Sequence, residues 1–96
     1  MSHLTVVATV TAGQGYEDEV GEILKKLIEP TRIEDGCIDY DFHRSIENSA
    51  VYVFYENWTS KAHLDKHLET PHIKECQAAL EGKITSTDLF LLNKVE

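Results

Sequence analysis

No apolar run in this 96-residue chain approaches the ~20 residues that a membrane-spanning helix needs. Basic residues are scarce as well: 9 Lys and Arg stand against 17 Asp and Glu, for a formal net charge of −8. A surface this negative repels phosphate backbones and anionic headgroups, so neither nucleic acid nor membrane is expected as a partner. The two cysteines, Cys37 and Cys76, form no close metal-type pair and are expected as free thiols in a reducing compartment. Cys76, on a helix, should be buried as a small hydrophobe. No basic segment followed by an apolar core precedes the first strand, so the expected location is cytoplasmic. Also missing are a Gly-rich phosphate loop, a Walker lysine, a serine elbow, a paired-cysteine zinc motif and a flavin or nicotinamide fingerprint. An enzyme made from this chain should work with few or no bound cofactors.

What is present fits one domain spanning residues 1–96. An apolar fraction of 42% and a charged fraction of 27% are ordinary for a globular protein. A chain of this size buries only roughly 60–65% of its unfolded surface, so a second copy covering an exposed face would stabilise it.

Leu4 to Thr11 alternates and is rich in β-branched residues, which predicts a strand. Glu17, Asp18 and Glu19 suit the positive end of a helix, and Tyr16, Val20, Ile23, Leu24, Leu27 and Thr31 continue at helical spacing. Pro30 should kink or loosen that helix near its end, and Asp35-Gly36 should stop it. Cys37 to Ser45 alternates again, with Ile38, Tyr40 and Phe42 on one side and Asp39, Asp41 and His43 on the other. Turn residues at 47–49 join it to Ala50–Trp58, the strongest strand, as a hairpin. A second helix begins at an N-cap on Thr59 or Ser60, breaks at Thr70-Pro71 and ends at Gly82, and Ile84 to Leu92 closes the chain as a strand.

The order β-α-β-β-α-β is the ferredoxin-like arrangement of the α+β class, a four-stranded antiparallel sheet with its helices on one face. A monomer should then have a polar opposite face. Instead the third strand carries Val51, Val53 and Tyr55 on one side and Tyr52, Phe54 and Trp58 on the other. Helices cover only one set, which points to a homodimer with its sheets face to face.

The histidines are the candidate chemistry. His63 and His67 lie at i, i+4 and could share a metal, but Leu64 stands where a zinc-protease helix has Glu, and no third ligand is in view. No metal is expected. On the helical wheel His67 borders the Leu64–Leu68 stripe and can look into the crevice between helix and sheet, whereas His63 turns toward solvent. His72 falls in the first turn after a cap, where the helix dipole keeps an imidazole neutral. Either His67 or His72 could accept a phenolic proton as a catalytic base. Glu56 and Trp58 share a strand face and could shape an aromatic pocket or equally be a core tryptophan with a rim carboxylate, while residues such as Tyr40, Phe42, Tyr52 and Phe54 are more often core than site.

Tyr55-Glu56-Asn57-Trp58-Thr59-Ser60-Lys61-Ala62-His63-Leu64, followed by His67-Leu68 and Thr70-Pro71-His72, resembles the signature of the antibiotic biosynthesis monooxygenase family. Ile33-Glu34-Asp35-Gly36-Cys37 with Tyr40 resembles that family's Glu-x-Gly-Cys segment before the second strand. The resemblance spans nearly the whole chain and implies a dimeric α+β barrel. It also implies a cofactor-independent monooxygenase that oxidises a quinol-like or polyphenolic small aromatic substrate with O2. In that branch His67 or His72 would be the base, and Trp58, Glu56, Tyr40 and Tyr52 would hold the ring. A second branch processes a phosphorylated autoinducer and shares the Thr-Pro-His segment; here Arg44 and Lys74 are the few basic candidates for a phosphate. A third degrades haem, but this chain offers Ala8 or Thr9, His67 and Gln77 where that branch has Asn, Trp and His. The alternative outside enzymology is a non-catalytic small-molecule-binding dimer.

Overall fold

The computed structural model describes residues 3–96; Met1 and Ser2, which lead into the first predicted strand, lie outside the described residues. The elements are β1 (Leu4–Ala12), α1 (Glu17–Lys25), α2 (Ile28–Arg32), β2 (Cys37–Arg44), β3 (Val51–Trp58), α3 (Lys61–Leu68), α4 (Pro71–Leu80) and β4 (Ile84–Leu92). All strand pairs are antiparallel and the sheet order is β2-β3-β1-β4, so the fold is the ferredoxin-like α+β arrangement. None of the described helices is long and apolar enough to cross a membrane.

Both helical segments are broken in two. The first splits at Lys26 and Leu27, one turn ahead of the expected weak point. Pro30 has no N–H for the Lys26 carbonyl, and its ring crowds that same group. The chain restarts at Ile28, which puts Pro30 in the first turn of α2, where a backbone donor has no intrahelical acceptor. The second break falls at Thr70, as its Thr-Pro pair predicts.

Cross-strand register builds the inner face in rows: Tyr40, Glu56, Val6 and Leu91, then Phe42, Phe54, Ala8 and Leu89. Tyr40 stacks on Phe54 at 4.8 Å between centroids, and Phe42 on Phe54 at 4.6 Å. Val20, Leu24, Leu27, Leu64, Ile73 and Leu80 close the core from the helices. Ile38 is a correction. A bulge between Cys37 and Asp39 adds a residue to β2, so Cys37 opposes Trp58 while Ile38 turns out to solvent at 50% exposure.

The outer face is mixed rather than uniformly apolar. Tyr55, Val7 and Phe90 form one row across β3, β1 and β4. The next row is polar except for Leu92: the Thr5 hydroxyl donates to Asn57 Oδ1 (2.6 Å) and Asn57 Nδ2 donates to Asp39 Oδ2 (3.0 Å). β4 is bare on both sides, with Leu89 and Leu91 exposed on the inner face and Phe90 and Leu92 on the outer one. The helices make their main sheet contacts with β2 and β3.

Candidate active site

The site begins with local capping. The Ser60 side chain accepts from the His63 N–H and starts α3, whose buried residues are Leu64 and His67. Thr70 Oγ1 accepts from the Ile73 N–H (3.4 Å) to start α4, while its own O–H donates to the His67 carbonyl (2.8 Å). One hydroxyl thus ties the end of α3 to the start of α4 and brings the His67 and His72 rings to 6.0 Å between centroids.

Glu34 arrives from the α2–β2 connection. Gly36 has φ +87°, in the left-handed region, and a Cβ there would collide with the His63 ring. The Gly36 carbonyl accepts from the Thr59 N–H (2.8 Å). The connection is therefore laid directly against the start of α3. A single carboxylate oxygen, Glu34 Oε2, then accepts from His67 Nδ1–H (2.8 Å) and from His72 Nε2–H (2.7 Å). Side-chain exposure rises along the cluster from 3% at His67 through 14% at Glu34 to 23% at His72, so it runs from the interior to the surface.

On its inner side His67 lines a cavity of about 500 Å³ between the sheet and helices α1, α3 and α4. Its ring lies 4.8 Å from Trp58 and 5.6 Å edge-on to Tyr40, centroid to centroid. Burial holds His67 below the ordinary imidazole range, and the hydrogen bond and charge of Glu34 oppose that only in part. At neutral pH the ring is a neutral imidazole with its proton fixed on Nδ1. Nε2, which has no protein partner among the described residues, is left as an acceptor.

Glu56 also lines the cavity and is only 3% exposed. Its Oε1 accepts from Trp58 Nε1–H (2.9 Å). Burial pushes this carboxyl up to about 7, against the opposing indole hydrogen bond and with a further push from the Glu34 charge. Near neutral pH Glu56 is therefore both donor and acceptor. Among the described residues no lysine or arginine lines the cavity, and most of its wall is aliphatic or aromatic. Burial pushes the Cys76 thiol, also on the wall, up to about 11, so it is no thiolate at neutral pH.

The candidates named from sequence separate into groups. His67, Glu56 and Tyr40 face the cavity. Trp58, fully buried, does not line it but braces both His67 and Glu56. His72 does not line it either and meets Glu34 instead. Tyr52 lies away from the site: its hydroxyl donates to the Glu17 carbonyl (2.8 Å) and its ring sits under the Arg44 guanidinium (5.0 Å). Arg44 pairs with Asp18 and Lys74 with Glu69, so neither offers a cation to the cavity. Glu34 was not among the sequence candidates. Its one signal was membership in the Glu-x-Gly-Cys segment, which carried no assigned role.

A family model described as antibiotic biosynthesis monooxygenase matches residues 3–79. The chain is 30% identical over 101 aligned positions to the probable quinol monooxygenase YgiN of Escherichia coli K12, covering 93% of this chain and 95% of that one. An uncharacterized Synechocystis protein, sll1783, is 31% identical over 72 residues, which cover 75% of this chain and 49% of that protein; the chain thus spans about half of that relative's length. The crystal structure of PA3566 from Pseudomonas aeruginosa matches with a TM-score of 0.95 at 28% identity, covering 100% of this chain and 97% of that one.

Proposed function

The chain belongs to the antibiotic biosynthesis monooxygenase family, and we propose that it oxidises a quinol-like or polyphenolic small molecule with O2, drawing the electrons from the substrate itself. The observation that carries this reading is the placement of His67, held through Nδ1 by Glu34 and lining a largely apolar cavity, with an Nε2 that has no protein partner among the described residues. Nε2 accepts a phenolic proton, and the resulting electron-rich anion reduces O2. A C–O bond forms at a ring carbon, the peroxide O–O bond breaks, and water leaves. For a hydroquinone the balance is one quinol and one O2 to one hydroxyquinone and one water. Glu56 and Tyr40 orient the ring oxygens, and the aliphatic wall keeps bulk water from the anion. The absence of lysine and arginine from that wall makes a phosphorylated substrate a poor fit.

The working form in this reading is a homodimer. The Tyr55–Val7–Phe90 row and the bare β4 are the surfaces that a second copy would cover.

The test is oxygen uptake by chelator-treated protein across quinols, naphthols and anthrones, with mass spectrometry of the products. His67→Gln, close in size to histidine, should lower kcat/KM by about 10²–10⁴. Undiminished turnover in that variant removes His67 as the base. Binding without turnover across the whole panel removes the monooxygenase reading.

A further inference from the structure

Glu34, His67 and His72 have a second chemistry that the proposed oxidation does not use. The sequence pairs His67 with His63, but His63 is engaged elsewhere, with Nδ1 2.8 Å from the Ser60 hydroxyl and Nε2 3.5 Å from Asp35. The fold instead brings two imidazole nitrogens and a carboxylate oxygen from three separate segments to within 4.8 Å of one another. We propose that Glu34 Oε2, His67 Nδ1 and His72 Nε2 form an exchangeable binding site for a divalent transition cation of the Zn2+ class.

Ligand type sets the class of ion. Two imidazoles and one carboxylate suit Zn2+ or Co2+, whereas Mg2+ and Ca2+ take oxygen-only sets. Bonds of about 2.0–2.2 Å put neighbouring ligand atoms on a tetrahedral ion about 3.3 Å apart. The present N···O separations are 2.8 and 2.7 Å, so each nitrogen must part from the carboxylate oxygen by about half an ångström, while the two nitrogens, within 4.8 Å of one another, must settle at the same ~3.3 Å spacing. Glu34 and His72 are both partly exposed, and their side chains can make that adjustment while His67 stays fixed. The same exposure gives the ion a route in from solvent.

The ion would take the place of the two protons now pointing at Glu34. Each imidazole moves its proton to its far nitrogen, His67 to Nε2 and His72 to Nδ1, and both coordinate as neutral rings. Neither far nitrogen has a protein acceptor among the described residues, so the site lacks the outer shell that tightens structural zinc centres. Binding is accordingly reversible. It also turns His67 Nε2 from an acceptor into a donor toward the cavity. If the base assignment holds, a bound ion silences the oxidation; this consequence rests on the proposed function, and the binding itself does not.

Calorimetric titration of the untagged, chelator-treated chain with Zn2+ tests the binding directly, with Co2+ absorption reporting coordination. Wild type should take up one equivalent per chain in a site with the d–d bands of a nitrogen-containing, low-coordinate Co2+ centre. His72→Ala and Glu34→Gln should each weaken that event at least tenfold, and His63→Ala should leave it unchanged. No saturable binding in wild type, a loss of less than tenfold in either variant, or equal dependence on His63 would overturn the proposal. Oxygen uptake with and without Zn2+ is a separate arm: saturable Zn2+ binding without inhibition would refute the base role of His67 and leave the metal site standing.

Discussion

Glu56 occupies a strand position that alternation assigns to the interior, between Phe54 and Trp58 on the same face. A carboxyl kept at about 7 in the native state, against an ordinary 4.5, favours the folded protein only while it is protonated. That contribution is complete below about pH 4.5 and drains away as pH rises to about 7. The loss amounts to about 3 kcal/mol. Glu56→Gln keeps an oxygen for the Trp58 indole and removes the cost of charging. Urea denaturation should therefore find the variant more stable than wild type at pH 8 and the advantage gone by pH 4. A stability difference that ignores pH would refute the burial account. At this scale the sequence was partly legible. The wheel position of His67 beside Leu64 gave its inward direction, and the i, i+2 spacing of Glu56 and Trp58 gave their shared face. Glu34 was not legible, because its partners lie 33 and 38 residues away and only the tertiary fold brings them together.

Helix ends, more than helix bodies, assemble the site. Thr70 serves α4 as N-cap and holds the last turn of α3 through the His67 carbonyl. Thr70→Ala should cost about 1 kcal/mol in thermal or chemical denaturation. It should also lower kcat/KM more than Ser60→Ala does, since only Thr70 spans the joint between the two histidine-bearing helices. Equal kinetic effects of the two substitutions would reduce Thr70 to an ordinary cap. Element order, both caps and the hairpin followed from sequence spacing. Two features did not. The α1–α2 break appears one turn before Pro30, where the carbonyl it disturbs is located. The β2 bulge shifts the side-chain alternation, so Ile38 and Cys37 exchange the directions that a regular strand would give them.

For the whole molecule, the exposed row of Tyr55 and Phe90 around Val7 sets the expected assembly. Light scattering should report about 22 kDa, twice the 10.9 kDa of one chain. Phe90→Lys, on an exposed site outside the core, should give a folded monomer. Wild type that stays monomeric at micromolar concentration would refute the interface. Two-faced strands were evident in the sequence, but the Thr5–Asn57–Asp39 polar ladder within the outer face was not, because its hydrogen bonds cross three strands.

β4 places consecutive residues in two different environments: Leu89 belongs to the cavity wall and Phe90 to the outer row. In the proposed homodimer one edge strand would serve both the cavity and the seam, and any coupling of ligand binding to pairing of chains through it would be reciprocal. If that coupling is favourable, diluting the chain below its association range should weaken its affinity for a small molecule that fills the cavity. A saturating small molecule should then tighten the pairing of chains by the same factor.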